Sequence, residues 1–94
     1  MKKRRGLPPQ AVSPDLLAWA AVVDATRLSE RAAIDMEYYL KKYRRMTPLA
    51  RREIAFRLVA VIEEQVTPPP PASVAPLDIF AVVVAARRQQ LGSG

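Results

Sequence analysis

The residues best equipped for chemistry are cations. Lys41, Lys42, Arg44, Arg45, Arg51 and Arg52 fall within a stretch, 38–52, that contains no acid, and Tyr38, Tyr39 and Tyr43 are interleaved with them. Cations mixed with aromatics suit a phosphate backbone with stacked bases, or the headgroups of an anionic lipid surface. Residues 41, 42, 44 and 45 spread over more than half a helix circumference, so they do not form one stripe that fills a groove. The same residues also suit a solvated end of a helical bundle. A second basic group, Lys2, Lys3, Arg4 and Arg5, opens the chain. It can meet phosphate or serve as a solvated tail.

Carboxylates offer less. Glu63 and Glu64 are adjacent and point in different directions on a helix, so they do not make a general acid–base pair. Glu37 with Lys41, and Glu53 with Arg57, have the i, i+4 spacing of surface ion pairs. The chain has no His and no Cys. Thiol nucleophiles, imidazole bases, zinc fingers and disulfide frameworks are therefore excluded. No phosphate loop is present either. The expectation is a non-catalytic protein with no catalytic residues, no cofactor and no metal.

What must position the cations is a small fold. The 94 residues carry fifteen Lys plus Arg against nine Asp plus Glu, a formal charge of +6, and 50% are hydrophobic. That composition is globular, and the length predicts one domain. Residues 1–12 read as a flexible basic arm, because Gly6, Pro8 and Pro9 oppose regular structure. The expected fold is all-α: a single domain over 13–92, built as a small bundle of three to four helices with a proline-rich linker before the last.

Ser13-Pro14-Asp15 combines a cap, a proline at the first helical position and an acid at the positive helix end. A first helix over 14–24 follows, with Leu16, Trp19, Ala20 and Val23 on one face. Ser29 caps a second helix over 30–45, whose inward residues are expected to be Ala32 or Ala33, Met36, Leu40 and Tyr43. Thr47-Pro48 repeats the cap-and-proline device and opens a third helix over 48–66. Ile54, Ala55, Leu58, Val61, Ile62 and Val66 form its apolar stripe, with Arg51 and Arg52 on the outer face. Pro68 to Pro71 predict a stiff polyproline II spacer within a linker over 67–72. A fourth helix then spans 76–90, with Gly92 as its stop.

The fourth helix is apolar nearly all round. It is either a central helix covered by the other three, or a surface covered by a partner chain or a second copy. Ile79, Phe80, Val83 and Val84 are its candidate partner-binding residues. No segment has the ~20 apolar residues that span a bilayer. Asp15, Asp24 and the prolines near the start also argue against reading 16–23 as a secretory leader.

Asp24-Ala25-Thr26-Arg27-Leu28-Ser29, Tyr39-Leu40 with Arg44-Arg45, Met46-Thr47-Pro48-Leu49-Ala50-Arg51 with Ala55, Leu58 and Ala60, and the prolines before a short last helix follow one another in that order. Over 24–90 this resembles the soluble helical region that follows the membrane-spanning part of some bacterial RDD-family membrane proteins, here without the membrane domain. The resemblance implies a cytoplasmic helical module, peripheral at the inner face of the membrane, working beside a membrane protein. The functional expectation is an adaptor or accessory subunit docked on a membrane protein or larger complex, with an anionic lipid surface or a second copy as further partners. The alternative is a small basic nucleic-acid-binding protein that uses the arm and the 41–52 cluster. The two differ in response to salt, since phosphate binding weakens steeply as salt rises and apolar burial does not.

Overall fold

The computed structural model describes residues 13–92, and the basic arm over 1–12 lies outside them. The chain is all-α. Its helices are α1 (Pro14–Val22), α2 (Glu30–Lys42), α3 (Pro48–Gln65) and α4 (Pro76–Gly92), with a 3-10 turn over Tyr43–Arg45. Among the described residues the only β-type pairing is an isolated bridge between Asp24 and Thr67. No helix of these residues is long and apolar enough to cross a membrane.

Local chemistry starts the first three helices as the sequence predicts. Ser13 Oγ accepts from the Asp15 amide (3.1 Å), Ser29 Oγ from Ala32 (3.1 Å) and Thr47 Oγ1 from Ala50 (3.1 Å). Each satisfies an amide that the helix itself leaves without a partner. Pro14 and Pro48 occupy first helical positions, where no amide hydrogen is needed.

The second helix departs from expectation at its end. α-Helical bonding stops at Lys42, and the Met46 amide donates to the Tyr43 carbonyl (3.2 Å), an i to i+3 bond that tightens the final turn. Its buried residues are Ala32, Ala33, Met36 and Tyr39, while Leu40 and Tyr43 are only half-buried. The inward stripe is thus rotated toward Tyr39, whose ring meets Phe80 edge-on at 5.3 Å. In α1, Ala20 is exposed, and Leu16 and Trp19 carry the contact with the core.

α4 is the central helix, packed against α1, α2 and α3. Ile79, Phe80, Val83 and Val84, the residues assigned above to a partner, are buried in the chain's own core. The apolar excess of this helix is therefore used internally, and that placement corrects the reading of these four as a docking surface. Its outward positions include Asp78, Ala81, Ala85 and Arg88. Two are alanines, which show little apolar area to water, so the helix tolerates one open side despite its composition.

The proline segment is likewise more than a spacer. Trp19 Nε1 donates to the Pro68 carbonyl at 2.8 Å, and the Asp24 and Thr67 backbones bond in both directions at 2.7 and 3.3 Å. Val66 and Val74 are buried on either side of the prolines. The Thr67–Pro68 peptide is cis. The segment is thereby bound to the end of α1 and does not project from the fold.

The last turns of α4 hold the connection between α1 and α2. The Ala25 amide donates to Gln90 Oε1 (2.9 Å), Gln90 Nε2 donates to the Val23 carbonyl (2.9 Å), and Arg87 Nε donates to the Leu28 carbonyl (3.2 Å). Gln65, at the end of α3, accepts from the Ser29 amide (2.9 Å). These bonds satisfy backbone groups beside the buried Val23, Ala25 and Leu28. Within the same connection the Thr26 hydroxyl (2.6 Å), its amide (2.9 Å) and nearby Arg27 hold the Asp24 carboxyl below its usual pKa.

Candidate functional site

The helix order places the basic corner at one end of the fold, where the 3-10 turn and the start of α3 meet. Lys41, Lys42, Arg44, Arg45 and Arg52 are exposed there. Arg51, expected on the outer face, is half-buried. Its Nη2 donates to the Met46 carbonyl (3.2 Å), and its Nε is buried with no acceptor. Lys2, Lys3, Arg4 and Arg5 lie outside the described residues.

Two of the three tyrosines are occupied within the chain. Tyr39 is buried between Phe80 and Tyr43, the two tyrosine rings stacking at 6.0 Å and 20°. Tyr43 carries the guanidinium carbons of Arg44 and Arg51 at 5.8 and 5.9 Å from its ring centre, and its hydroxyl accepts from Arg44 Nε (3.4 Å). These are cation–π distances. Only Tyr38 presents an open ring, 59% exposed.

Burial pushes the Tyr39 hydroxyl above its usual pKa near 10.0; Arg51 opposes this and Tyr43 adds to it. A proton held more tightly in the folded than in the unfolded chain adds stability that is complete below the unfolded value. That stability is lost as pH rises through the folded value. Melting temperatures are therefore expected to fall on the alkaline side of the ordinary tyrosine range. Tyr39→Phe should flatten that fall when melts are compared across the same pH series, and an unchanged alkaline slope would remove Tyr39 as its source.

Beside the basic corner lies an open groove of about 450 Å³, lined by Tyr39, Pro48, Arg51, Arg52, Ala55, Phe56, Val59 and Pro76. Tyr39 of α2 and Ala55 of α3 are its buried members, α3 supplies most of the lining, and Pro76 contributes the first residue of α4. Phe56 is 79% exposed and Leu49, seven positions earlier on α3, is 63% exposed. Spacing alone accounts for their shared face. No acidic residue lines the groove. Of the two ion pairs among the described residues, Arg31–Asp35 (3.4 Å) and Arg88–Glu37 (3.1 Å), neither involves Arg51 or Arg52.

A second hollow of about 330 Å³ between α2 and α4 includes Lys41, Leu40 and the Glu37–Arg88 pair. There the Glu37 carboxylate pairs with Arg88 and not, as its i, i+4 spacing predicts, with Lys41. Among the described residues no three His, Cys, Asp or Glu side chains converge on a metal position. What the larger groove offers is apolar contact and unpaired positive charge.

Sequence reasoning found Arg51 and Arg52 but not Phe56, Val59, Pro76 or the inward turn of Tyr39. One signal was legible: Leu49 and Phe56 are large apolar side chains off the 54, 55, 58, 61, 62 stripe of α3. Comparison of the chain with protein-family models, with curated proteins and with solved structures finds no match.

Proposed function

We propose that this protein is a non-catalytic adaptor or small accessory subunit, a bundle of four helices that docks on a membrane protein or larger complex. The observation that carries the reading is the groove beside Phe56. An exposed aromatic ring continuous with a groove of apolar side chains is a surface that a protein partner can cover. The resemblance of 24–90 to the soluble part of RDD-family proteins supports a membrane protein as the partner and the inner, cytoplasmic face of the membrane as the place. The nucleic-acid alternative rests on the exposed cations and Tyr38, since Tyr39 and Tyr43 are already engaged within the chain.

Fractionation of a tagged copy in its native cell tests this. The wild type is expected to stay with the membrane pellet or a large complex through a high-salt wash, and Phe56→Glu to be released. Release of the wild type by salt would instead mean phosphate contacts, and nuclease treatment would show whether nucleic acid supplied them.

A further inference from the structure

We infer that the groove's occupant is an acidic amphipathic helix of a partner protein, with its apolar side against Phe56 and Val59 and its carboxylates at Arg52 and Arg51. The inference rests on the docking reading above and names the chemistry of the partner. Three features of the groove carry it.

The first is shape. The α3 residues of the lining run from Pro48 to Val59 through Arg51, Arg52, Ala55 and Phe56, in successive turns. At about 1.5 Å per residue this is a trough of roughly 16 Å, matched by two to three turns of a second helix. Phe56 and Pro76, from different helices, are both part of its lining, and the buried Tyr39 and Ala55 are its most enclosed members. A helix laid in such a trough reads it with apolar anchors at i, i+3 or i+4, and i+7. A bilayer surface is broad and flat and fits a convex protrusion better than a trough of this size.

The second is charge. Both ionisable side chains of the lining that carry charge at neutral pH are arginines, and no carboxylate of the described residues pairs with either. Lys41, Lys42, Arg44 and Arg45 precede them with no acid anywhere over 38–52. A neutral occupant would leave this field unanswered, and a basic one would be repelled. The amino-terminal end of α3, with its partial positive charge, is at Pro48 in the same trough.

The third is composition. Ala55, Phe56, Val59, Pro48 and Pro76 supply apolar contact and no hydrogen-bonding edge for a base. A second copy of this chain carries a net charge of +6, which disfavours it as the occupant of a positively charged groove.

The test uses the full chain against a displayed random peptide library of about twelve residues, long enough for three helical turns. Enriched peptides are expected to combine Asp or Glu with Leu or aromatic residues at helical spacing. A synthetic copy of the leading peptide, followed by fluorescence anisotropy, should lose about tenfold or more in affinity to Phe56→Glu, as expected for an anchor residue, and a smaller amount to Arg52→Glu, whose exposed charge mainly orients the approach. Both positions are exposed, and circular dichroism checks that the variants fold. Changing the peptide's acids to Lys should restore binding to Arg52→Glu relative to wild type, a reversal that general destabilisation does not produce. Enrichment of neutral or basic apolar peptides that still depend on Phe56 would overturn the acidic partner and leave the docking reading standing. No enrichment, or enriched peptides indifferent to Phe56→Glu, would overturn both. Two other results would also overturn the inference: a dimer in light scattering that Phe56→Glu dissociates, and Phe56-dependent binding to vesicles of equal phosphatidylglycerol and phosphatidylcholine without peptide competition.

Discussion

Phe80→Ala is expected to destabilise the protein by about 3–5 kcal/mol, the range for removing a buried aromatic ring. Phe80 is fully buried on the central helix and meets the Tyr39 ring edge-on at 5.3 Å. Its loss removes apolar burial, leaves a cavity where α2 and α4 face each other, and abolishes an aromatic pair worth about 0.5–1.5 kcal/mol beyond its area. A chain of 94 residues has a total stability of roughly 5–14 kcal/mol at about 0.05–0.15 kcal/mol per residue. The substitution therefore consumes a large part of the margin. Urea denaturation followed by circular dichroism gives the measurement. Phe56→Ala is the internal control: the same side chain is removed from a position 79% exposed, and the expected change is within about 0.5 kcal/mol. Equal effects at the two positions would contradict the placement of α4 at the centre.

Trp19→Ala is expected to cost about 3–5 kcal/mol by the same cavity argument, and it acts on a different part of the fold. Trp19 is buried at 4% exposure, and its indole nitrogen donates to the Pro68 carbonyl at 2.8 Å. It is thus both a core residue of α1 and the hydrogen bond that fastens the proline segment. Trp19→Phe separates the two roles, since it keeps an aromatic ring and deletes the donor. That variant is expected to lose about 1–2 kcal/mol, because the freed carbonyl belongs to an exposed proline and water can take the donor's place. Limited proteolysis should show cleavage over 66–75 rising in both variants, and thermal melts should rank wild type above Trp19→Phe above Trp19→Ala. A Trp19→Phe protein as stable and as protected as the wild type would show that the prolines are held by packing alone.

Binding in the groove is expected to weaken only modestly as salt rises. Arg44 and Arg51 already lie against the Tyr43 ring, so part of the positive charge counted in the sequence is engaged within the chain. Arg52, exposed and without an ion pair among the described residues, is the groove residue most free to meet a partner's carboxylate. A single exposed pair of this kind adds little affinity by itself and mainly orients the approach. The apolar contact at Phe56 and Val59 has to supply most of the binding energy.

What could be read from the sequence was whatever depends on neighbours a few positions apart. Ser13-Pro14, Ser29 and Thr47-Pro48 each start a helix through contacts that span two or three residues. The stripe of Ala55, Leu58 and Ile62 marks the inward face of α3 because helical spacing alone puts these residues together. The all-α class and the order of four helices follow from the same local rules. The basic character of 41–52 was equally plain, being a property of composition.

Tertiary structure decided which of several apolar faces turned inward and what the leftover polar groups bonded to. In α4 periodicity could not choose a face, since nearly every position is apolar; contact with three other helices selected Ile79, Phe80, Val83 and Val84. Tyr39 went inside because Phe80 lies across from it, and no spacing rule connects positions 39 and 80. Trp19 reaches Pro68 across 49 positions, and Gln90 reaches Ala25 and Val23 across 65 and 67. A glutamine near the end of a helix and a run of prolines look alike in sequence whether they are held or loose. Only the folded chain shows which, because a hydrogen bond depends on distance in space and not on separation along the chain.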